Sequence, residues 1–401
     1  MIVDGAYPGD IRVRKEAESL IEAGKKVLVV CPKKKDDKAQ ETVNGVEVIR
    51  IGENYTNKKK GLLDIVESVT NINLLFYKGL KRVFKDYTID VLHVHDLPLA
   101  GTGFLFRKNV QKAIFLDLHE NFPEAMKTWF QWKKGKLLQL KNSLFMNPKI
   151  WARKEQKYCK KYDTVICVVE EMKQKLMDNF NINTGKLIVV SNHEKKDFAK
   201  NFDTRINVNK NIINSFSITY VGGFGPHRGL QTAIKAMPKI VKEIPQAQLN
   251  LVGKGSIDVE QKLRQITINN NVEESVIFAG YKPFKEVSKL MQQSNINIIP
   301  HLANGHTNNT IPHKLFQIML SKSLLLVSTC KPLKRIVETY DAGVVFEANN
   351  HKDFAEKVIT IYQNLENYQS KINNAYHAVM KFENWENESK KLINLYNSYQ
   401  N

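Results

Sequence analysis

The run Tyr220-Val221-Gly222-Gly223-Phe224-Gly225-Pro226-His227-Arg228-Gly229-Leu230 closes a β-type segment with a glycine-rich turn and opens a helical pattern directly behind it. Glycines at such a turn let the backbone approach a phosphate closely. The helix N-terminus offers N–H groups with no intrahelical partner, and Arg228 is placed to bridge phosphate oxygens. In isolation the same pattern is also an ordinary tight βα connection. Its weight comes from its neighbours, because the strand-then-helix rhythm repeats on both sides.

Downstream, β-type runs are expected at 216–221, 247–252, 276–279, 296–299, 324–328 and 344–346, with helices starting near Gly229, Val259, Phe284, Pro312 and Lys334. Upstream they are expected at 1–4, 26–30, 46–51, 91–95, 113–118, 164–169 and 187–190. Short apolar strands alternating with helices are the signature of parallel βαβ units. The first helix reads most clearly: Val13, Ala17, Leu20 and Ile21 fall at helical spacing, and Gly24 stands where a C′ glycine belongs. Between His193 and Ser215 the apolar period dissolves into Asn, Lys and Asp, which marks a linker. From Asp353 onward the chain reads as helix, and Trp385 to Tyr399 is expected to cross back onto the first domain. The fold class is therefore α/β, two tandem Rossmann-like doubly wound domains facing a central cleft, with C-terminal helices returning to the first. The boundaries are 1–200, 201–380 and a final helix at 381–401. A chain of 401 residues comfortably fills two such domains.

Composition narrows the function. With 42% hydrophobic and 25% charged residues the chain is globular, and no apolar run approaches a membrane span. Met1-Ile2-Val3-Asp4-Gly5 reaches a polar loop too early for a signal peptide, which points to the cytoplasm. Cys31, Cys159, Cys167 and Cys330 match neither a zinc pattern nor a disulfide framework and read as reduced buried thiols. The formal charge of +19, leaning to the first half, favours an anionic partner. Lys58-Lys59-Lys60, Lys78 to Lys85, and above all Lys133 to Lys161 interleaved with Trp129, Phe130, Trp132 and Trp151, fit a segment lying on an anionic membrane surface, or equally a solvated helix face. No helix-turn-helix, zinc-finger or RNP-type pattern accompanies the charge, so nucleic acid is not expected as a partner.

Other clusters sit at strand ends. Asp117-Leu118-His119-Glu120 follows an apolar strand, as does His93-Val94-His95-Asp96. His93 and His95 share one face of their strand, but the sequence displays no third metal ligand and no metal is expected. Asn309-Thr310-Ile311-Pro312-His313-Lys314-Leu315-Phe316-Gln317 opens another helix with a cation beside it.

In their order along the chain, Asp10-Ile11-Arg12-Val13-Arg14-Lys15-Glu16-Ala17, His93–Asp96, Asp117–Glu120, Gly222–Gly229, Leu251-Val252-Gly253-Lys254-Gly255, Phe278-Ala279-Gly280-Tyr281 and Ile311–Gln317 resemble family four of the retaining glycosyltransferases, of GT-B fold and bacterial envelope-polysaccharide type. The resemblance covers nearly the whole chain. It implies transfer from a nucleoside-diphosphate sugar, UDP- or GDP-linked, to a saccharide or lipid-linked acceptor, with retention and without cofactor or metal ion. The first domain would bind the acceptor and the second the nucleotide sugar. His119 matches the strand-end histidine that contacts the donor sugar. Donor contacts are implied for Gly222, Gly223, Arg228, Gly253, Lys254, Gly280, Tyr281, Lys282, Asn309, Thr310, Ile311, Lys314, Leu315 and Gln317, and acceptor-side roles for Asp10, Arg12, Arg14, Asp96 and Glu120. Two features depart from the family. Gly223 occupies the place of a phosphate-binding arginine, and Asn309 and Gln317 stand where two glutamates are usual. An epimerase of the same fold and a catalytically weak nucleotide-sugar binder remain the alternative readings.

Overall fold

The computed structural model describes residues 1–52, 57–129, 132, 147–202 and 215–399. They form two units. The first gathers the described residues of 1–126, 147–191 and 388–399, and the second those of 127–132 and 192–387. The helix Trp385–Ser398 thus begins in the second unit and ends in the first. The linker expected at 193–215 lies partly outside the described residues, as does the Trp132–Lys141 part of the basic stretch.

In the second unit six parallel strands, β8 (Phe216–Val221), β9 (Ala247–Val252), β10 (Val276–Gly280), β11 (Ile296–Ile299), β12 (Leu324–Ser328) and β13 (Val344–Phe346), lie in the order β10-β9-β8-β11-β12-β13. Every residue of β11 and β12 is buried, as expected of parallel strands covered on both faces. Helices Leu230–Glu243 and His351–Gln363 contribute Leu230, Ile234, Met237, Phe354 and Val358 to a core shared with Phe216, Ile218, Leu249 and Leu326. The strand order reverses direction between β8 and β11. Doubly wound sheets bind their ligands at that switch point, beyond the carboxyl ends of the strands.

The first unit repeats this logic. Its parallel strands are β1 (Leu28–Pro32), β3 (Val46–Ile51), β4 (Val91–His95), β5 (Ala113–Leu118), β6 (Thr164–Cys167) and β7 (Leu187–Val189). The strand expected at 1–4 is reduced to a single bridging residue, Ile2, which pairs with both Val30 and Val94 and so joins β1 to β4. Its N–H donates to His93 at 2.9 Å and its carbonyl accepts from His95 at 3.0 Å. The antiparallel β2 (Gln40–Val43) was not expected. It is short, polar and half exposed, but the two-residue Asn44-Gly45 link, with φ of 50° and 81°, is a strong hairpin signal. The helix Ile11–Glu22 is capped by Asp10, whose carboxylate accepts from the Arg12 and Val13 amides at 3.0 and 3.1 Å.

Candidate active site

At the switch point of the second unit, the turn after β8 meets the chain leaving β11. Gly229 adopts φ 71°, and a Cβ there would fall 1.7 Å from the Pro300 carbonyl oxygen, so only glycine lets the two segments touch. Gly253, φ 144°, similarly brings the end of β9 against the Gly222 carbonyl. Behind Gly229 the helix Leu230–Glu243 begins without a side-chain cap.

Among the described residues, no ion pair joins Arg228 or Lys314 to a carboxylate. Arg228 Nη1 lies 3.2 Å from His301 Nε2. Lys314 keeps some exposure along its stem, yet its ammonium folds inward, 3.8 Å from the Tyr220 ring centre and 3.3 Å from the Val221 carbonyl, against Gly222. Burial, then Arg228, holds Lys314 well below the usual lysine range. Burial and neighbouring cations also push His227 down to about 2 and His306 to about 3, and His301 well below its ordinary value. These histidines are neutral, and the charged groups acting on them are Arg228 and Lys314. Cations held together without a counter-ion make a ready site for a multiply charged anion. Gly223 is exposed and leaves open space where the resemblance places an arginine.

The structure brings only part of the expected donor set to this turn. Gly222, Gly223, Arg228, Gly253, Lys254 and Lys314 converge, with the Lys254 carbonyl accepting from the Phe224 amide. Gly280, Tyr281 and Lys282 leave the end of β10, with Tyr281 largely exposed. The helix expected near Pro312 starts at Lys314 with His313 in the cap position, so Thr310, Ile311 and Pro312 precede it. Asn309 donates to the Gly305 carbonyl at 2.8 Å, and Leu315 is a buried core residue. Gln317 donates to Glu194 at 2.9 Å. Glu194, 123 positions away, was not foreseen; nor were Tyr220 and His301, which frame the cations.

In the first unit the strand-end clusters converge on one buried ionic network. Parallel pairing sets His95 beside Asp117, and His93 lies two residues back on the same face of β4. Arg12 clamps Asp117 with Nε at 3.0 Å and Nη2 at 2.9 Å, reaches the Val190 carbonyl at 2.9 Å, and lies 3.1 Å from Glu16 one turn on. His119 sits 3.3 Å from Asp96 through Nδ1, with Nε2 3.4 Å from Asp117 and 3.0 Å from His95 Nδ1. Burial works to lower its pKa, but Asp96 and Asp117 outweigh it and push His119 up to about 9. It is thus an imidazolium at neutral pH, and its side chain is 15% exposed where Arg12, Glu16 and Asp117 are closed off. Asp96 takes φ 67°, a strained conformation for a non-glycine residue, fixed by its N–H donating to the Asp117 carbonyl.

The residues expected on the acceptor side differ in how far they are open to solvent. Arg12 is 3% exposed and fully engaged inside the unit, and Asp10 serves as a helix cap. Asp10, Arg14, Asp96 and Glu120 retain partial exposure.

Comparison with known proteins follows the two units. The family model described as Glycosyltransferase Family 4 matches residues 11–193, and that described as Glycosyl transferases group 1 matches residues 201–378. An uncharacterized glycosyltransferase of Methanocaldococcus jannaschii is 24% identical over 238 residues, which span 58% of this chain and 59% of that protein. Sucrose-phosphate synthase from Thermosynechococcus elongatus superposes with a TM-score of 0.77 at 18% identity, covering 98% of this chain and 94% of its own. Anabaena HepE in complex with UDP-glucose gives 0.73 at 13% identity, covering 99% and 98%. WaaG, a glycosyltransferase involved in lipopolysaccharide biosynthesis, gives 0.68 at 12% identity, covering 98% and 97%. With both halves matched in order, the chain belongs to the family-four-type glycosyltransferases of GT-B fold.

Proposed function

We propose that this protein transfers a sugar, with retention of configuration, from a UDP- or GDP-linked donor to a saccharide or lipid-linked acceptor in bacterial cell-surface polysaccharide synthesis. The observation that carries this reading is the placing of Arg228 and Lys314 at the switch point, where among the described residues no ion pair joins either to a carboxylate. It is supported by what related structures hold or do, UDP-glucose in HepE and lipopolysaccharide biosynthesis in WaaG. In the proposed step the bond from the anomeric carbon to the diphosphate oxygen breaks as the acceptor oxygen bonds to that carbon on the same face. The acceptor proton passes to the departing phosphate oxygen. Arg228, Lys314 and the start of helix Leu230–Glu243 take up the charge that develops there, so no ion is required at the diphosphate. His119 is the proposed contact to the donor sugar.

Arg228→Ala should weaken nucleoside-diphosphate binding by about 1.5–3 kcal/mol, the worth of a hydrogen bond to a charged group, and Lys314→Ala by less. Calorimetry with UDP and GDP measures this, and parental affinity in both variants would misplace the donor site. Incubation with donor alone separates transferase from epimerase, since only the latter accumulates an epimer.

Lys314 also makes binding pH-dependent. Its free-state pKa is held low by burial and Arg228, and a bound diphosphate favours the ammonium. The complex therefore binds more protons than its parts, and affinity should fall as pH rises. Calorimetry in buffers of different ionisation enthalpy should show net proton uptake on binding, reduced in Lys314→Ala.

The proposed membrane contact runs through the basic helix Pro148–Lys161, with Lys149, Arg153, Lys157, Lys160 and Lys161. The protein should co-sediment with anionic vesicles, not neutral ones, and salt should release it. Equal recovery with both would assign the charge to solubility.

A further inference from the structure

The buried network contains a gap that its hydrogen bonds do not fill. Glu16 Oε2, His93 Nε2 and His95 Nε2 are wholly buried and have no hydrogen-bond partner. They face one another and Asp117: His93 Nε2 lies 3.8 Å from Glu16 Oε2 and 3.7 Å from Asp117 Oδ2, and His95 Nε2 lies 4.0 Å from Glu16 Oε2. Buried polar atoms are ordinarily paired, and here two imidazoles and two carboxylates converge with Glu16, His93 and His95 left unpaired.

We propose that Glu16, His93, His95 and Asp117 form a closed site for a divalent transition-metal ion of the zinc type, which locks the helix Ile11–Glu22 to the ends of β4 and β5.

The spacing is within reach of a coordinated ion. Tetrahedral ligands at about 2.0–2.1 Å from zinc lie roughly 3.4 Å apart, whereas partners at about 2.8 Å from a tetrahedral water would lie roughly 4.6 Å apart. The three separations of 3.7–4.0 Å fall between these, and all four ligand atoms lie within 4.8 Å of one another, so small side-chain shifts would close them on an ion.

The outer contacts follow the pattern of metal-bound histidines, in which the second ring nitrogen is engaged by a neighbour and the ring is thereby aimed. His93 Nδ1 meets Tyr396 Oη at 3.0 Å, and His95 Nδ1 lies 3.4 Å from Asp117 Oδ2, an acceptor for the proton that nitrogen would carry with an ion on Nε2. Arg12 holds Glu16 through Oε1 and chelates Asp117, so Glu16 Oε2 faces inward. Two imidazoles with two carboxylates suit zinc better than magnesium or calcium. This site is separate from the diphosphate turn, and the metal-independent transfer proposed above does not pass through it.

The test is metal content and stability of the intact protein, with no activity readout. Protein stripped with chelator and dialysed should take up close to one equivalent of zinc. Its melting temperature should rise by about 5 °C or more with zinc in hundredfold excess over Kd. Glu16→Gln and His93→Gln should each lose the equivalent and the shift. Where a variant fails to fold, cobalt substitution of the parent decides: a visible band of tetrahedral intensity without a thiolate charge-transfer band supports the site. No stoichiometric uptake, no shift, or an equivalent retained by both folded variants would overturn it. Nucleotide binding is unaffected either way, so its failure would count only against the donor site.

Discussion

His119→Ala is expected to lower kcat by about a hundredfold or more while the Kd for free nucleotide stays within about threefold. The cations proposed for the nucleotide, Arg228 and Lys314, belong to the second unit, so removing a first-unit group should leave ground-state nucleotide affinity alone. His119 is a cation at neutral pH, anchored by Asp96 and Asp117, with one open side. A preorganised charge of this kind contributes where charge develops during reaction, and its loss appears in kcat. A packing histidine would behave differently: its truncation would lower the melting temperature and reduce activity only through unfolding. Measuring kcat, nucleotide Kd and melting temperature on one variant separates the two. Near-normal turnover in a folded His119→Ala protein would remove the residue from the mechanism.

Asp117→Ala should cost the first unit about 3–5 kcal/mol, because it leaves the buried Arg12 guanidinium without its two-point partner. Burial alone would raise the pKa of Asp117, but Arg12 and His119 hold it well below the usual carboxylate range. The stabilisation is therefore fully present at neutral pH and lost as pH falls through the folded-state pKa. The variant should lose that acid dependence together with the stability. Urea unfolding followed through buried Trp151 reports on this unit. A parental midpoint would mean that Arg12 finds other partners.

The fold was legible because strands buried on both faces write themselves as apolar runs. The limits of β3, β4, β5, β8, β9, β11, β12 and β13 coincide with the expected segments. Ile2 was harder, since one residue pairing on both sides does a strand's work without a strand's length. Strand β2 was missed because a polar edge strand has no apolar pattern, although Asn44-Gly45 carried the signal. In the site, glycines and Arg228 were readable from local spacing. What escaped were contacts made by topology: Glu16 reaching His93, Glu194 reaching Gln317, and His301 meeting Arg228. No local pattern encodes such pairs, because the chain between them is free to vary.

The first unit's dependence on residues 388–399 sets the order in which a ribosome can complete this molecule. Tyr396 and Tyr399 pack on Phe115 at 5.2 and 5.3 Å, Tyr399 meets the Thr164 hydroxyl at 3.1 Å, and Glu388 accepts from the Ser191 amide at 2.7 Å. The half of the protein synthesised first must therefore wait, its sheet partly uncovered, through the on the order of 10–40 s needed to translate the other half. The half synthesised second can finish first. Nascent chains should accordingly be most vulnerable to aggregation and chaperone capture through Phe115 and its neighbours, and a stop codon shortly before Glu388 should forfeit the older unit rather than the newer one.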